Sequence, residues 1–251
     1  MTVVVAFLCT DGVVVAADSM LTASMGNVPV AHHTGKKVSV LRGHQVFAFA
    51  GDQGLGARFR IMADGSHAGI AQTAHAIDHP LRLTQSMISQ FQATGIGNAI
   101  NVNTVLAFEH GDAHQCCIFE GHIQPRLLDE HHFYGALGSG KLSADPFLRF
   151  LVDVFCQGGP PNVREGVFLA TWAIEHVIRT NPGGVAGPIR IATLERTDAR
   201  ALLARELPDT EIEEHRQAID SASISLRAWR DRIESGAAAE DAPPPPELDE
   251  A

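Results

Sequence analysis

The sequence predicts an α+β fold of four layers, an αββα sandwich in which two facing sheets are each covered by a pair of helices. Three observations carry that expectation. Strands and helices come in blocks, in the order strands, two helices, strands, two helices, strand, so the helices fall in pairs. The early strand runs are apolar on both faces, as strands covered on two sides are. A doubly wound sheet needs strands alternating singly with helices, and this chain does not show that.

The elements follow in order. Thr2 to Leu8 and Val13 to Ala17 are β-branched apolar runs, joined at Asp11-Gly12, a strong hairpin signal. A second pair spans Lys37 to Arg42 and Gln45 to Ala50, turning at Gly43-His44. Gly51-Asp52 ends that strand and opens a helix, with Asp52 as N-cap and Leu55, Phe59 and Met62 at helical spacing. Residues 64 to 80 are rich in His, Ala and Gly and fit no single element. Leu81 to Phe91 reads as a helix closed by Thr94-Gly95-Ile96-Gly97. Asn103 to Glu109, Gln115 to Glu120 and Ile123 to Leu127 form a meander, and Phe133 to Leu137 a short strand ending at Gly138-Ser139-Gly140. Helices are expected over Pro146 to Phe155 and Val163 to Arg179, and a strand over Ile189 to Leu194.

Three divisions of the chain follow. Residues 1–199 hold the sandwich. Residues 200–235 form a helical extension, with Ile212, Ile219, Leu226, Trp229 and Ile233 along one side of a helix from Thr210 to Ser235. Residues 236–251 read as a disordered tail, rich in Ala and Pro, with five acidic residues and no basic ones.

Composition bounds the function. The 251 residues are 45% hydrophobic and 19% charged, enough for a sizeable core. A net charge of -10 disfavours nucleic-acid binding, which needs clustered Lys and Arg. No apolar run approaches the roughly 18 residues a membrane span needs. The opening run lacks a basic n-region and is short, so no signal peptide and a cytoplasmic location are expected. Cys9, Cys116, Cys117 and Cys156 show no CxxC spacing and read as reduced thiols. No GxSxG, HExxH or phosphate-loop motif occurs. His75 and His79 could face one another on a helix, but no acidic partner at a useful spacing supports a metal, so neither metal nor cofactor is expected.

The beginning of the chain carries more chemistry. Removal of Met1, which a small following residue permits, would leave Thr2 leading the chain. Its α-amine would titrate near ~7.7 to 8, so one residue would supply both nucleophile and base. A nearby cation would depress the amine further, and a carboxylate would hold that cation. Asp18 and Lys37 are candidates. Taken singly, each residue also fits a structural role, such as a strand start, an ion pair or a turn serine.

Thr2-Val3-Val4-Val5-Ala6, then Asp11 to Ser19, resemble the opening of proteasome β-type subunits, a family that includes the bacterial HslV peptidase and other bacterial proteasome homologues. The match runs on through Thr22, Lys36-Lys37-Val38 and Ala50-Gly51, and resumes at Gly138-Ser139-Gly140. The resemblance implies an N-terminal-nucleophile hydrolase, a threonine endopeptidase acting on peptides or unfolded proteins. On its pattern Thr2 is the nucleophile, Asp18 orients Lys37, and Lys37 lowers the nucleophile's pKa. Gly51 offers its backbone N–H to the oxyanion, and Ser139 relays the amine proton. Thr22 pairs with an extended substrate, while Leu21, Phe49 and Gln53 line pockets, Phe49 making the main one shallow and apolar. The family's rings imply a homo-oligomeric double ring or open spiral, with an ATPase unfoldase as a possible partner. The chain departs from the pattern at Met20, in the length between Thr22 and Lys37, and at Arg179 to Gly184, where the family has an Asp. An N-terminal-nucleophile amidase or a transpeptidase would use the same residues. A non-catalytic ring-forming scaffold is the alternative from another class.

Overall fold

A computed structural model of the chain describes residues 2–25, 28–93, 102–121, 123–181, 183–197 and 201–234. It is a mixed α/β structure whose sheets are antiparallel throughout. The first hairpin joins β1 (Val4–Leu8) to β2 (Gly12–Ala17). β3 (Met20–Met25) and β4 (Val28–Thr34) form a separate two-stranded ribbon. The next strands are β5 (Val38–Leu41) and β6 (Gln45–Gly51), followed by α1 (Gln53–Ser66), a 3₁₀ helix (His67–Gln72) and α2 (Asp78–Ala93). Then come β7 (Val102–His110), β8 (Ala113–Glu120), β9 (Gln124–Leu127) and β10 (Tyr134–Leu137). The chain continues through α3 (Lys141–Phe155), α4 (Val163–Thr180), β11 (Arg190–Arg196), β12 (Leu202–Glu206) and α5 (Asp209–Glu234).

The first sheet has the order β10-β1-β2-β11-β12, and the second β5-β6-β7-β8-β9. Alternation along each strand sorts side chains between two faces. On β1 and β2, Val5, Phe7, Val14 and Ala16 pack with Leu148, Leu151, Ala170 and Ile174 of α3 and α4. Their neighbours Val4, Ala6, Val13 and Val15 turn the other way and meet Val46, Ala48, Val105 and Ala107 of the second sheet. On the opposite face of that sheet, Phe47, Leu106, Phe108 and Phe119 pack with Phe59, Leu83 and Met87 of α1 and α2. Small residues between the sheets let them approach to the ~10 Å spacing of face-to-face packing, while phenylalanines fill the helix-covered side. This double coverage explains why β1 and β2 read as apolar on both faces.

Several boundaries differ from the sequence expectation. Residues 64 to 80 divide between the end of α1, the 3₁₀ helix and the start of α2. Pro80 sits in the first turn of α2, where no intrahelical N–H is needed. α3 begins at Lys141 rather than Pro146, because the Gly140 carbonyl accepts the Ser143 and Ala144 N–H groups and starts the turn upstream of the proline. β3, β4 and β12 were not foreseen. On α5, Ile212 and Ile219 are buried, but Leu226 and Trp229 are exposed, so only its first half packs. The loop expected at Thr94 to Gly97 and the tail 236–251 lie outside the described residues. No described helix is long and apolar enough to cross a membrane.

Candidate functional site

Thr2 lies two residues before the start of β1 and is tied down from two sides. Its carbonyl accepts the Gly140 N–H at 3.0 Å, and its own N–H donates to Ser139 Oγ at 3.1 Å. Both donors and acceptors come from the turn that leads from β10 into α3. That turn needs Gly138, whose φ of 87° suits glycine, and a Cβ there would collide with the Thr2 carbonyl.

Asp18 follows β2 and is fully buried. One carboxylate oxygen accepts the Val3 N–H at 3.0 Å and the other the Met20 N–H at 3.0 Å. Lys37, just before β5, is buried too, and its Nζ donates to Asp18 Oδ1 at 2.7 Å and to Thr2 Oγ1 at 3.0 Å. A buried charge persists only when paired and hydrogen-bonded, and here each partner supplies that for the other. Burial pulls the Lys37 pKa below the ordinary lysine value, against the opposing pull of the Asp18 carboxylate. The ammonium therefore faces the threonine hydroxyl from a dry, fixed position, where it favours the ionised oxygen.

A cleft of about 640 Å³ opens onto this group. Thr2, Gly51, Ser139, Leu21, Thr22 and Gln53 line it, so six of the residues singled out in the sequence meet at one opening. Gly51 ends β6 with φ of 101°, and Asp52 caps α1 by accepting the Leu55 N–H at 2.8 Å. Phe49, on β6 two residues before Gly51, packs in the cluster between that sheet and α1, with its ring close against Gly56.

Asp52, Asn103, Glu120 and His33 also line the cleft and were not anticipated. Asn103 and Glu120 come from neighbouring strands, and their only sequence signal was a strand end beside a turn. Glu120 pairs with Lys141 at 2.5 Å. His33 lies opposite Leu21 on the β3–β4 ribbon, whose pairing the sequence did not reveal. Thr22 Oγ1 contacts His32 Nδ1 at 3.1 Å on the same ribbon. Asn181, where the resemblance leads one to expect an acid, donates to Ser143 Oγ at 2.8 Å. The His75–His79 pair does not share a helix face, since α2 begins at Asp78. Among the described residues no group of three His, Cys, Asp or Glu is placed to hold a metal.

No protein-family model and no curated protein matches the sequence. Solved structures do match. A Gly-1 mutant of Anbu from Hyphomicrobium sp. strain MC1 aligns with a TM-score of 0.68 at 18% identity, covering 93% of this chain and 100% of that one. Anbu from Yersinia bercovieri, described as an ancestral beta-subunit, gives 0.68 at 14% identity over 90% of this chain and 97% of its own. A second Hyphomicrobium Anbu structure gives 0.64 at 17% identity over 90% and 95%. These likenesses show the fold, which the chain shares with the Anbu structures. They also correct the resemblance read from the opening residues: the similarity points to Anbu rather than to the proteasome β-type subunits and HslV. Those residues are short strands and a buried ion pair, features that related folds share, and so they could not separate one branch from another.

Proposed function

We propose that the chain is an N-terminal threonine hydrolase of peptide bonds, active once the residue before Thr2 has been removed. The observation that carries this reading is the placement of Lys37 Nζ between Asp18 and Thr2 Oγ1 at the base of the cleft. In the proposed reaction Thr2 Oγ attacks the scissile carbonyl carbon and passes its proton to the Thr2 α-amine. Lys37 stabilises the emerging alkoxide, and the Gly51 N–H takes the oxyanion. The C–N bond then breaks, and the leaving amine takes the proton back. Water attacks the resulting ester and frees the acid. Ser139, within reach of the Thr2 nitrogen, holds that nitrogen in place.

The stacking of helices, sheet, sheet and helices supports reading the fold as a four-layer αββα sandwich. Assembly of several copies belongs to the same proposal. Apolar Phe150 and Val154, one turn apart and exposed on α3, support it.

The test is release of a fluorophore from a panel of peptides by the wild type and Thr2→Ala, with an intact-mass measurement of each. Wild type lacking Met1 should turn over, and Thr2→Ala should not, at unchanged circular dichroism. Equal rates in the two would place the chemistry elsewhere. Addition of an amine acceptor separates hydrolysis from transpeptidation by the products formed.

A further inference from the structure

The helical layer over the second sheet is fastened at one end by imidazoles. His67 directly follows α1 and stacks on His44 of the β5–β6 turn, with ring centroids 5.6 Å apart and planes 8° from parallel. His79, in the first turn of α2, is 2% exposed and stands edge-on to Phe108 of β7 at 5.4 Å. His110 ends β7, and its Nε2 lies 3.1 Å from the carbonyl of Thr73, which closes the 3₁₀ helix. The four rings therefore join α1, the 3₁₀ helix and α2 to the turn end of the sheet.

Two of their nitrogens are unprovided for. His79 Nε2 and His67 Nδ1 are buried with no hydrogen-bond partner among the described residues. A neutral ring tolerates this by leaving a bare lone pair inward. A protonated ring must point an N–H at nothing and carry charge into an apolar site. The surrounding charges do not relieve that. Arg82, His67 and His110 face His79, all of the unfavourable sign, while the neighbouring Asp78 is turned to the His75 N–H. His67 faces His44, Arg42, Asp64 and Glu109, with Arg42 and Asp64 already paired at 3.0 Å.

We propose that His67 and His79, packed beside His44 and Phe108, act as a proton-operated latch that holds the α1–α2 layer on the second sheet at neutral pH and releases it in mild acid. The energetic direction agrees. Burial lowers the His79 pKa to about 4 and that of His67 in the same sense. A lowered folded value means full contribution above the ordinary histidine value and progressive loss as pH falls toward about 4. The latch acts at one end of α1, about 21 Å from the other, where Asp52 and Gln53 line the cleft. Acid release would thus reach the cleft wall through a rigid helix, whatever chemistry the cleft performs.

Hydrogen exchange on the full chain tests this, at about pH 7.5 and about pH 5, with rates corrected for the intrinsic pH dependence of exchange. In acid, amides of α1, the 3₁₀ helix and α2 should lose protection on the order of tenfold relative to those of α4. His79→Leu should remove most of that loss. If His79→Leu does not fold, His67→Phe keeps the stack on His44 without an ionisable ring at that position and should reduce the loss. Wild-type layers that lose protection in step overturn the proposal. So does acid opening of the α1–α2 layer that is unchanged in the folded variant.

Discussion

Lys37 Nζ lies 3.0 Å from Thr2 Oγ1 while holding Asp18 Oδ1 at 2.7 Å, with all three residues buried. The chain thereby places one positive charge in a dry site and aims it at a hydroxyl. Asp18 is fixed in turn by the Val3 and Met20 N–H groups, so the position of the charge is set by backbone geometry of β1 and of the segment after β2.

Removing one half of that pair should cost more than removing both. Lys37→Ala leaves a buried carboxylate without its cation, at an expected loss of about 3–5 kcal/mol of stability. The double variant Asp18→Asn/Lys37→Met should lose clearly less than the sum of its single variants in urea unfolding. Strict additivity would mean that the two groups are not coupled in the fold.

The rate should depend on pH in two senses. The proposed base is the free Thr2 amine, so activity rises with pH as that amine loses its proton, below the ordinary α-amine range of about 7.7 to 8 because the Lys37 cation lies beside it. Lys37 must stay protonated to stabilise the alkoxide. Its pKa is lowered by burial, so activity falls with rising pH at a point below the ordinary lysine value. In Lys37→Arg the cation cannot be titrated. A slower enzyme without the alkaline fall is the expected result, measured as kcat/KM against pH.

Two glycines beside Thr2 should fail for different reasons. At Gly51 a Cβ has open space but φ is 101°, so Gly51→Ala carries only backbone strain, on the order of 1–2 kcal/mol. At Gly138 the positive φ is joined by a collision with the Thr2 carbonyl. Gly138→Ala should therefore lose more stability than Gly51→Ala and shift Thr2 itself. Thermal unfolding of both, with peptidase rates, distinguishes the cases.

Phe59 and Phe150 offer a contrast in packing. Phe59 is fully buried, 4.8 Å from Phe119 ring to ring and 6.1 Å from Phe47. Phe59→Ala should cost about 3–5 kcal/mol. Phe150 is 53% exposed on α3, so Phe150→Ser should leave unfolding nearly unchanged. If copies assemble through that face, sedimentation should show the Phe150 variant as a smaller species.

Strands and long helices were legible because their signals are local. The Asp11-Gly12 turn, the β-branched runs of β1 and β2 and the periodicity of α4 can each be read within a few residues. Of the residues named from the resemblance, Thr2, Asp18 and Lys37 are joined by hydrogen bonds, and Thr2, Gly51 and Ser139 line one cleft. What failed was information held by partners distant in sequence. β12 pairs with β11, and β4 with β3, through backbone hydrogen bonds that leave little trace in composition. Alternation along β6 sets Phe49 on the helix-covered face, opposite Ala48 and Ala50. Asn103, Glu120 and His33 reach the cleft only because separate strands converge there.

The most direct test of the central claim is reaction of the purified protein with a peptide α′,β′-epoxyketone, which bonds to both a hydroxyl and a free α-amine, followed by mass mapping of the adduct. The expected result is a single adduct on Thr2 in wild type, absent in Thr2→Ala and strongly slowed in Lys37→Ala. An adduct on any other residue, or a Thr2 that stays unmodified with its amine free, would contradict it.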